Sequence, residues 1–265
     1  MMSTFSKQVA EKVLKLLGND RIEVLDKCNC LNYTYVLIGT GLGGEFLGIA
    51  YTPAEDLRAG EVGVVPRVEE LPELVVNLDS LVRALGGIAL INAISHYLVM
   101  REGFRLSQGD LKSEILRFVK PPCTACFVGS ITPVAEALRG GRCSVYQLER
   151  RSDLRHGSYP DVDAPLIIPR CDILVITGSA MVNNTIDQLL AMRRGGGGAV
   201  TVLSGPTAAT YPSVLHGLGI DVIGSSLVKE PRSVIELLKL GAGYRLLDRK
   251  GLLFKYVSVR STYNG

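Results

Sequence analysis

Three short stretches in the second half of the chain gather small hydroxyl, amide and glycine residues directly after apolar runs. They are Gly129-Ser130-Ile131-Thr132, Thr177-Gly178-Ser179 continued by Asn183-Asn184-Thr185, and Ser204-Gly205-Pro206-Thr207. Such residues, where a strand turns into a helix, suit the binding of a small anion. The free N–H groups of a helix start can hold a carboxylate or phosphate, while hydroxyls and amides fix its orientation. Helix capping by Asn183 or Asn184 needs no ligand at all. Two asparagines and a threonine exceed what one cap requires, so ligand contact is the favoured reading. Glu149-Arg150-Arg151 adds charge after another apolar run. A carboxylate there can accept ribose hydroxyls or act as acid or base, and a solvated loop explains it equally well.

Other motifs carry less. Gly39-Thr40-Gly41-Leu42-Gly43-Gly44 satisfies the dinucleotide pattern G-x-G-x-x-G, but the pattern needs a helix directly afterwards. Here Glu45 to Tyr51 reads as strand, so a glycine-rich hairpin is expected. The Gly195 to Gly198 run precedes a strand, whereas a phosphate loop comes after one, and is read as a flexible connection. Cys123-Thr124-Ala125-Cys126 has redox and zinc-ligand spacing, but lies before its strand. The only other pair, Cys28-Asn29-Cys30, has atypical spacing for zinc. Free or buried thiols are expected rather than a disulfide framework, an inference that a hyperthermophilic source would weaken. His96 sits in an apolar run as a core residue, and His156 and His216 form no HxxxH pair with it. No G-x-S-x-G elbow occurs.

Periodicity defines the elements that must position these residues. Ser6 to Leu17 is an amphipathic helix, and 22–26, 33–38 and 45–50 are strands. Leu78 to Met100 is a buried helix interrupted by Gly86 and Gly87. Beyond Pro121-Pro122, strands at 125–131, 144–148, 172–176, 199–203 and 220–223 alternate with helices at 133–139, 185–194, 213–218 and 231–240. Glu149 to Arg170 reads as a long loop, and Leu247 to Val259 as a closing hairpin. Short apolar strands separated by helices describe a doubly wound parallel sheet, with its switch point between the strands near Ala125 and Asp172. The fold class is α/β, with an α+β unit over residues 1–112 and a Rossmann-like unit over residues 113–265.

Composition sets the outer bounds. With 47% hydrophobic and 21% charged residues, the 265-residue chain fits a globular protein with a substantial core. A net charge of +3 gives no broad footprint for nucleic acid. No run of 18 uncharged apolar residues suggests a membrane span, and the N-terminus lacks a signal-peptide core. A cytoplasmic address, a small-molecule partner and room for a homo-oligomer are the resulting expectations.

The run DILVITGSAMVNNT…LL…VTVLSGPT…P…LHGLGIDVIGSSLV resembles a family of unknown function labelled for heavy-metal chelation. The earlier YVLIG…GEFLGIAYT…GGIALINAI resembles the enolase N-terminal-like domain that precedes it there. The resemblance covers nearly the whole chain. It implies a Rossmann-like second domain with its site in the cleft between domains. It places Thr177, Gly178, Asn183, Thr185, Gly205 and Pro206 in that site, matches Glu149-Arg150 to an acidic-basic pair, and adds Asn92 from the buried helix. No metal-ligand set and no cofactor can be named from these residues. The leading expectation is a small-molecule-binding protein, and within that class an enzyme on an anionic or nucleotide-like ligand, with Glu149 catalytic. Gly129, Thr132, Arg150, Ser179, Asn184 and Thr207 complete the expected binding set. A metal-binding or metal-delivery protein using its cysteines or a chelating small molecule, and a non-catalytic metabolite sensor, are the alternatives.

Overall fold

Apolar side chains at positions 9, 13 and 17 share one helical face, and they dictate where the first helix docks. In this computed structural model, which describes residues 3–41, 43–58, 60, 63–76, 80–129, 131–195 and 200–261, α1 (Phe5–Leu17) starts at Thr4. The Thr4 hydroxyl oxygen accepts from the Lys7 N–H at 3.2 Å, an N-cap bond. β1 (Ile22–Asn29), β2 (Tyr33–Thr40) and β3 (Glu45–Tyr51) come next as an antiparallel meander. The G-x-G-x-x-G run is the β2–β3 turn, with Gly39 paired opposite Glu45; Leu42 lies outside the described residues. After a short α2 (Leu71–Leu74) comes α3 (Leu81–Arg101), capped by Ser80 and almost wholly buried. Its expected first residue, Leu78, lies outside the described residues.

Helix α3 is long and apolar enough to cross a membrane, but 89% of its most apolar window is buried within the protein. It is a core helix. Gly48 of β3 lies directly on it, since a Cβ there would sit 2.0 Å from the Ala89 carbonyl oxygen. Val36 and Ile38 of β2 face α3, while Tyr35 and Leu37 face a second cluster with Val234, Leu238 and Leu247. The small sheet is thus buried on both faces, one by its own helix and the other by the C-terminal segment.

The remaining elements build one larger sheet. β4 (Ser107–Gln108) and α4 (Leu111–Phe118) lead into β5 (Cys123–Val128), α5 (Thr132–Gly140) and β6 (Cys143–Glu149). Next are β7 (Tyr159–Pro160), α6 (Ala164–Ile167), β8 (Ile173–Thr177), α7 (Ser179–Val182), α8 (Ile186–Gly195), β9 (Val200–Ser204) and α9 (Pro212–Gly217). β10 (Val222–Val228), α10 (Pro231–Lys239), α11 (Tyr244–Arg249) and β11 (Leu253–Val259) end the chain's regular structure. The strand order is β4-β11-β10-β9-β8-β5-β6-β7, parallel from β10 through β7 and antiparallel at β11 and β4. From β5 the chain steps one way to β6 and β7, then returns to β8 on the other side. This is a doubly wound sheet whose switch point is the β5–β8 boundary. Continuous apolar strands such as ILVIT reflect burial on both faces.

Several sequence expectations are corrected. The segment 149–170 is not plain loop, because β7 adds a strand beside β6 and α6 folds back over the sheet edge. The expected hairpin over 247–259 is a helix, α11, with a strand after it that pairs with β10. β10 runs on through Ser225 and Ser226, whose hydroxyls are hydrogen-bonded to the Gly205 carbonyl and the Tyr244 hydroxyl. Most of the glycine run, residues 196–198, lies outside the described residues.

The cysteines are the largest correction. They form three disulfides, Cys28–Cys30, Cys123–Cys143 and Cys126–Cys171. Cys123 and Cys143 are register partners at the starts of β5 and β6, which brings their side chains together. Sequence spacing cannot show such cross-strand proximity. Cys126–Cys171 spans 45 residues of chain, and closing a loop of that size in the unfolded state contributes about 3–4 kcal/mol. The double variant Cys126→Ala, Cys171→Ala is expected to melt roughly 10 °C lower. A melting temperature unchanged by that substitution, measured by circular dichroism, would contradict a stabilising role for the bridge.

Candidate functional site

At the switch point the ends of β5, β6 and β8 diverge and leave a hollow, as the doubly wound topology requires. Gly129 closes β5. Its N–H donates to the Leu148 carbonyl at 2.9 Å, and its φ of +96° is left-handed. A Cβ on Gly129 would lie 2.7 Å from Thr177 Cγ2, so glycine is needed where β5 and β8 come together. Ser130, the next residue of that expected turn, lies outside the described residues. Gly178 is equally constrained: its N–H donates to the Ser204 carbonyl at 2.7 Å, and a Cβ would meet the Ala208 nitrogen at 2.7 Å.

Beyond Gly178 the chain makes the single turn α7 and then a tight corner with Asn184 at φ +55°. Asn183 Oδ1 accepts both the Thr185 N–H at 3.3 Å and the Thr185 hydroxyl at 2.8 Å. The Asn183 amide oxygen is therefore committed to the corner ahead of α8 and does not cap that helix, while Asn183 still borders the hollow. Asn184 Oδ1 is buried with no hydrogen-bond partner.

The hollow has a volume of about 150 Å³ and is lined by Gly129, Glu149, Arg150, Thr177, Ser179, Asn183 and Thr185, together with Asp161, Ala164, Gln188, Leu189 and Met192. Glu149 is only 8% exposed, and one carboxylate oxygen accepts the Arg151 N–H at 3.0 Å. Beside it, Arg150 reaches across to the N-terminal unit, where its guanidinium meets the Asp56 carboxylate at 3.1 Å. Arg151 pairs with Asp153 at 2.6 Å and faces Glu55 at 3.6 Å. Asp153 first, then Tyr51, hold the Arg151 guanidinium more firmly protonated than usual. A second hollow of about 250 Å³, lined by Asp56, Leu81, Ala84, Arg150, Val182, Asn183 and Asn184, adjoins the first. Arg150 and Asn183 border both, so the crevice runs from the sheet edge into the junction with the N-terminal unit.

Two of the three expected turns meet here. The third does not. Pro206 and Gly205 stay outside both hollows, and the Gly205 carbonyl accepts from the Ser225 hydroxyl at 2.9 Å. Thr207 is 2% exposed, and its hydroxyl oxygen accepts the Tyr51 N–H at 2.9 Å. Asn92, 1% exposed, donates from Nδ2 to the carbonyls of Ile49 and Thr207, both at 2.9 Å, and accepts from the Thr210 hydroxyl at 3.2 Å. These residues stitch α3 and β3 to the loop after β9. Thr132 opens α5 on the surface and does not line the hollow. Gly178 acts through backbone packing behind it.

Sequence reasoning missed Asp161, Ala164 and Asp56. The first two arrive because α6 and its preceding turn fold over the edge of β6, and the Pro160-Asp161 pair before an apolar run was the available signal. Nothing local marks Asp56 as the partner of Arg150.

Among known families, a model described as "Putative heavy-metal chelation", DUF364, matches residues 113–257, more than half of the chain. The chain belongs to the DUF364 family. A second model of the same description, DUF4213, matches residues 11–95. An uncharacterized protein of Methanocaldococcus jannaschii is 29% identical over 258 residues, covering 94% of this chain and 96% of the relative. A DUF364 protein of unknown function from Pyrococcus horikoshii has a similar crystal structure, with a TM-score of 0.82 and 25% identity, covering 96% of this chain and 99% of the other. Another DUF364 structure, from Desulfitobacterium hafniense, superposes with a TM-score of 0.69 at 19% identity, covering 95% and 98%, and shows the shared fold.

The family description raises the question of whether this DUF364 chain could itself ligate a metal. Its donors do not fit one. Among the described residues no three His, Cys, Asp or Glu side chains are grouped as ligands. All six cysteine sulfurs are engaged in disulfides. Both His216 ring nitrogens are within hydrogen-bond distance of other groups, the Ile220 carbonyl at 2.8 Å and the Ser258 hydroxyl at 2.9 Å. His156 is exposed on the segment between β6 and β7.

Proposed function

We propose that this protein binds a small hydroxylated anion, of the size of a sugar phosphate or mononucleotide, in the crevice between its two units. The observation that carries this reading is Glu149, a carboxylate 8% exposed, set at the end of the second parallel strand on the wall of the switch-point hollow. A buried carboxylate in that position is suited to accepting hydrogen bonds from vicinal hydroxyls. Thr177, Ser179 and the start of α8 supply donors for an anionic group beside it. Arg150 adds a guanidinium that can exchange its Asp56 partner for a phosphate or carboxylate. The two hollows, about 150 and 250 Å³, favour a ligand of modest size over a dinucleotide.

If the ligand is also turned over, Glu149 is the group placed to move a proton at a ligand hydroxyl. A link to heavy metals would run through the bound molecule, a chelator or a metal complex, because the chain's own donors do not form a centre among the described residues. A cytoplasmic setting accompanies this reading, with three disulfides then matching the pattern of intracellular proteins of hyperthermophiles.

The test is calorimetric titration with AMP, ADP and ribose 5-phosphate, alongside native mass spectrometry of protein purified without added ligand. At least one of these probes, or one retained small anion, is expected to bind with one-to-one stoichiometry. Glu149→Gln and Arg150→Ala are each expected to weaken it about tenfold or more. Loss of turnover in Glu149→Gln with binding retained would mark an enzyme, and binding without any turnover a sensor. Absence of any bound or titratable anion would sink the proposal.

A further inference from the structure

A separate, larger cavity lies apart from the crevice and shares no lining residue with it. Its volume is about 520 Å³, within the usual range of small-molecule pockets. The walls come from both units: Phe46 of β3, Val99 and Met100 of α3, Phe104 and Leu106 of the loop after it, Leu227 and Val228 at the end of β10, and Phe254 of β11. Such a lining is apolar over most of its area, and water inside it would find few partners.

Three polar groups break that surface, and their states differ. His96 stands in the wall with its ring edge-on to Phe46, centroids 5.1 Å apart, and its Nδ1 is buried with no hydrogen-bond partner. Burial pushes the imidazole down to about 4, so at neutral pH it is an uncharged donor or acceptor. Glu45, at the mouth, is already neutralised by Arg232, whose Nε donates to Oε2 at 2.8 Å and whose Nη2 donates to Oε1. Lys229, also at the mouth, is exposed, and its ammonium meets no carboxylate among the described residues. The mouth therefore presents one uncompensated positive charge above an apolar interior.

We infer that this cavity is a binding site for an amphiphilic carboxylate, with its apolar body among Phe46, Phe104 and Phe254 and its anionic head at Lys229. Burying the apolar body removes hydrocarbon from water at about 25 cal/mol per Å². The charge-assisted contact at the mouth selects an anion over an alcohol or amine of equal length.

Calorimetric titration of the intact protein with decanoate, kept below its micellar range, tests this. Saturable one-to-one binding of decanoate is expected, with decanol weaker and decylamine weaker still. Lys229→Glu changes an exposed side chain after β10 and should not disturb folding; it is expected to weaken decanoate about tenfold while leaving decanol unchanged. Arg150→Ala, which lies in the crevice, is expected to leave decanoate binding untouched, so failure here and failure of the crevice reading remain distinguishable. Non-saturable uptake, equal affinity for decanoate and decylamine, or decanoate binding unchanged in Lys229→Glu would each overturn the assignment. So would association of two protein copies that abolishes uptake, since that would make the cavity part of an interface.

Discussion

Replacing Asn92 with alanine is expected to lower the unfolding free energy by about 4 kcal/mol, one of the largest effects of any polar substitution in this protein. The residue is 1% exposed and lies on α3, yet its amide serves three partners from different parts of the chain. Alanine leaves the Ile49 and Thr207 carbonyls without their donor and the Thr210 hydroxyl without its acceptor, all in a region that water does not reach. Each stranded group costs about 1–3 kcal/mol, with partial relief from local adjustment. Thr210→Val breaks one of the same bonds and strands a single group, Asn92 Oδ1, so it is expected to cost less, about 1–2 kcal/mol. Chemical denaturation monitored by far-ultraviolet circular dichroism measures both. A loss below about 1 kcal/mol for Asn92→Ala would show that the hub does not dock α3 and β3 onto the larger sheet. A variant of normal stability that no longer binds the crevice anion would instead return Asn92 to the ligand site.

Gly48→Ala tests the same junction from the backbone side. A Cβ at Gly48 would stand 2.0 Å from the Ala89 oxygen and 2.2 Å from the Ala93 nitrogen. Both are main-chain atoms of α3, so no rotamer change relieves the clash, and the helix must shift away from the strand. Overpacking that displaces an element costs about 1–3 kcal/mol and at times more; here about 4 kcal/mol is expected because the obstacle is rigid. The Asn92 hydrogen bond to Ile49, one residue along, would be stretched by the same shift, so the two substitutions should be non-additive. The double variant compared with the singles measures this coupling, and strict additivity would argue that strand and helix dock through separate contacts. Gly18→Ala provides a contrast: a Cβ there meets nothing within 4 Å, so only its positive φ of +64° is strained.

The strand-end turns are legible in the sequence because strand, polar turn and helix succeed one another locally. Gly129, Thr177 and Asn183 do meet at one hollow, and Glu149-Arg150 stands beside them. The turn at Gly205-Pro206-Thr207 has the same composition but lies two strands from β5, where the N-terminal unit covers it. Composition cannot separate those cases, since the difference lies in what packs above each turn. The glycine motif at 39–44 is decided by its C-terminal neighbour, a strand rather than a helix, and the hairpin register bears out that local rule.

What the sequence alone determined was the alternation of elements: amphipathic spacing in α1, continuous apolar strands in the doubly wound sheet, and a glycine-rich hairpin at 39–44. These depend on interactions within a few residues, so a linear reading captures them. Only the tertiary structure decided the pairing of Cys123 with Cys143 and Cys126 with Cys171, the reach of Arg150 to Asp56, and the sealing of Asn92. Each joins atoms far apart along the chain, and their proximity arises from sheet order and from how the two units share one core. No local pattern of residue types encodes that geometry.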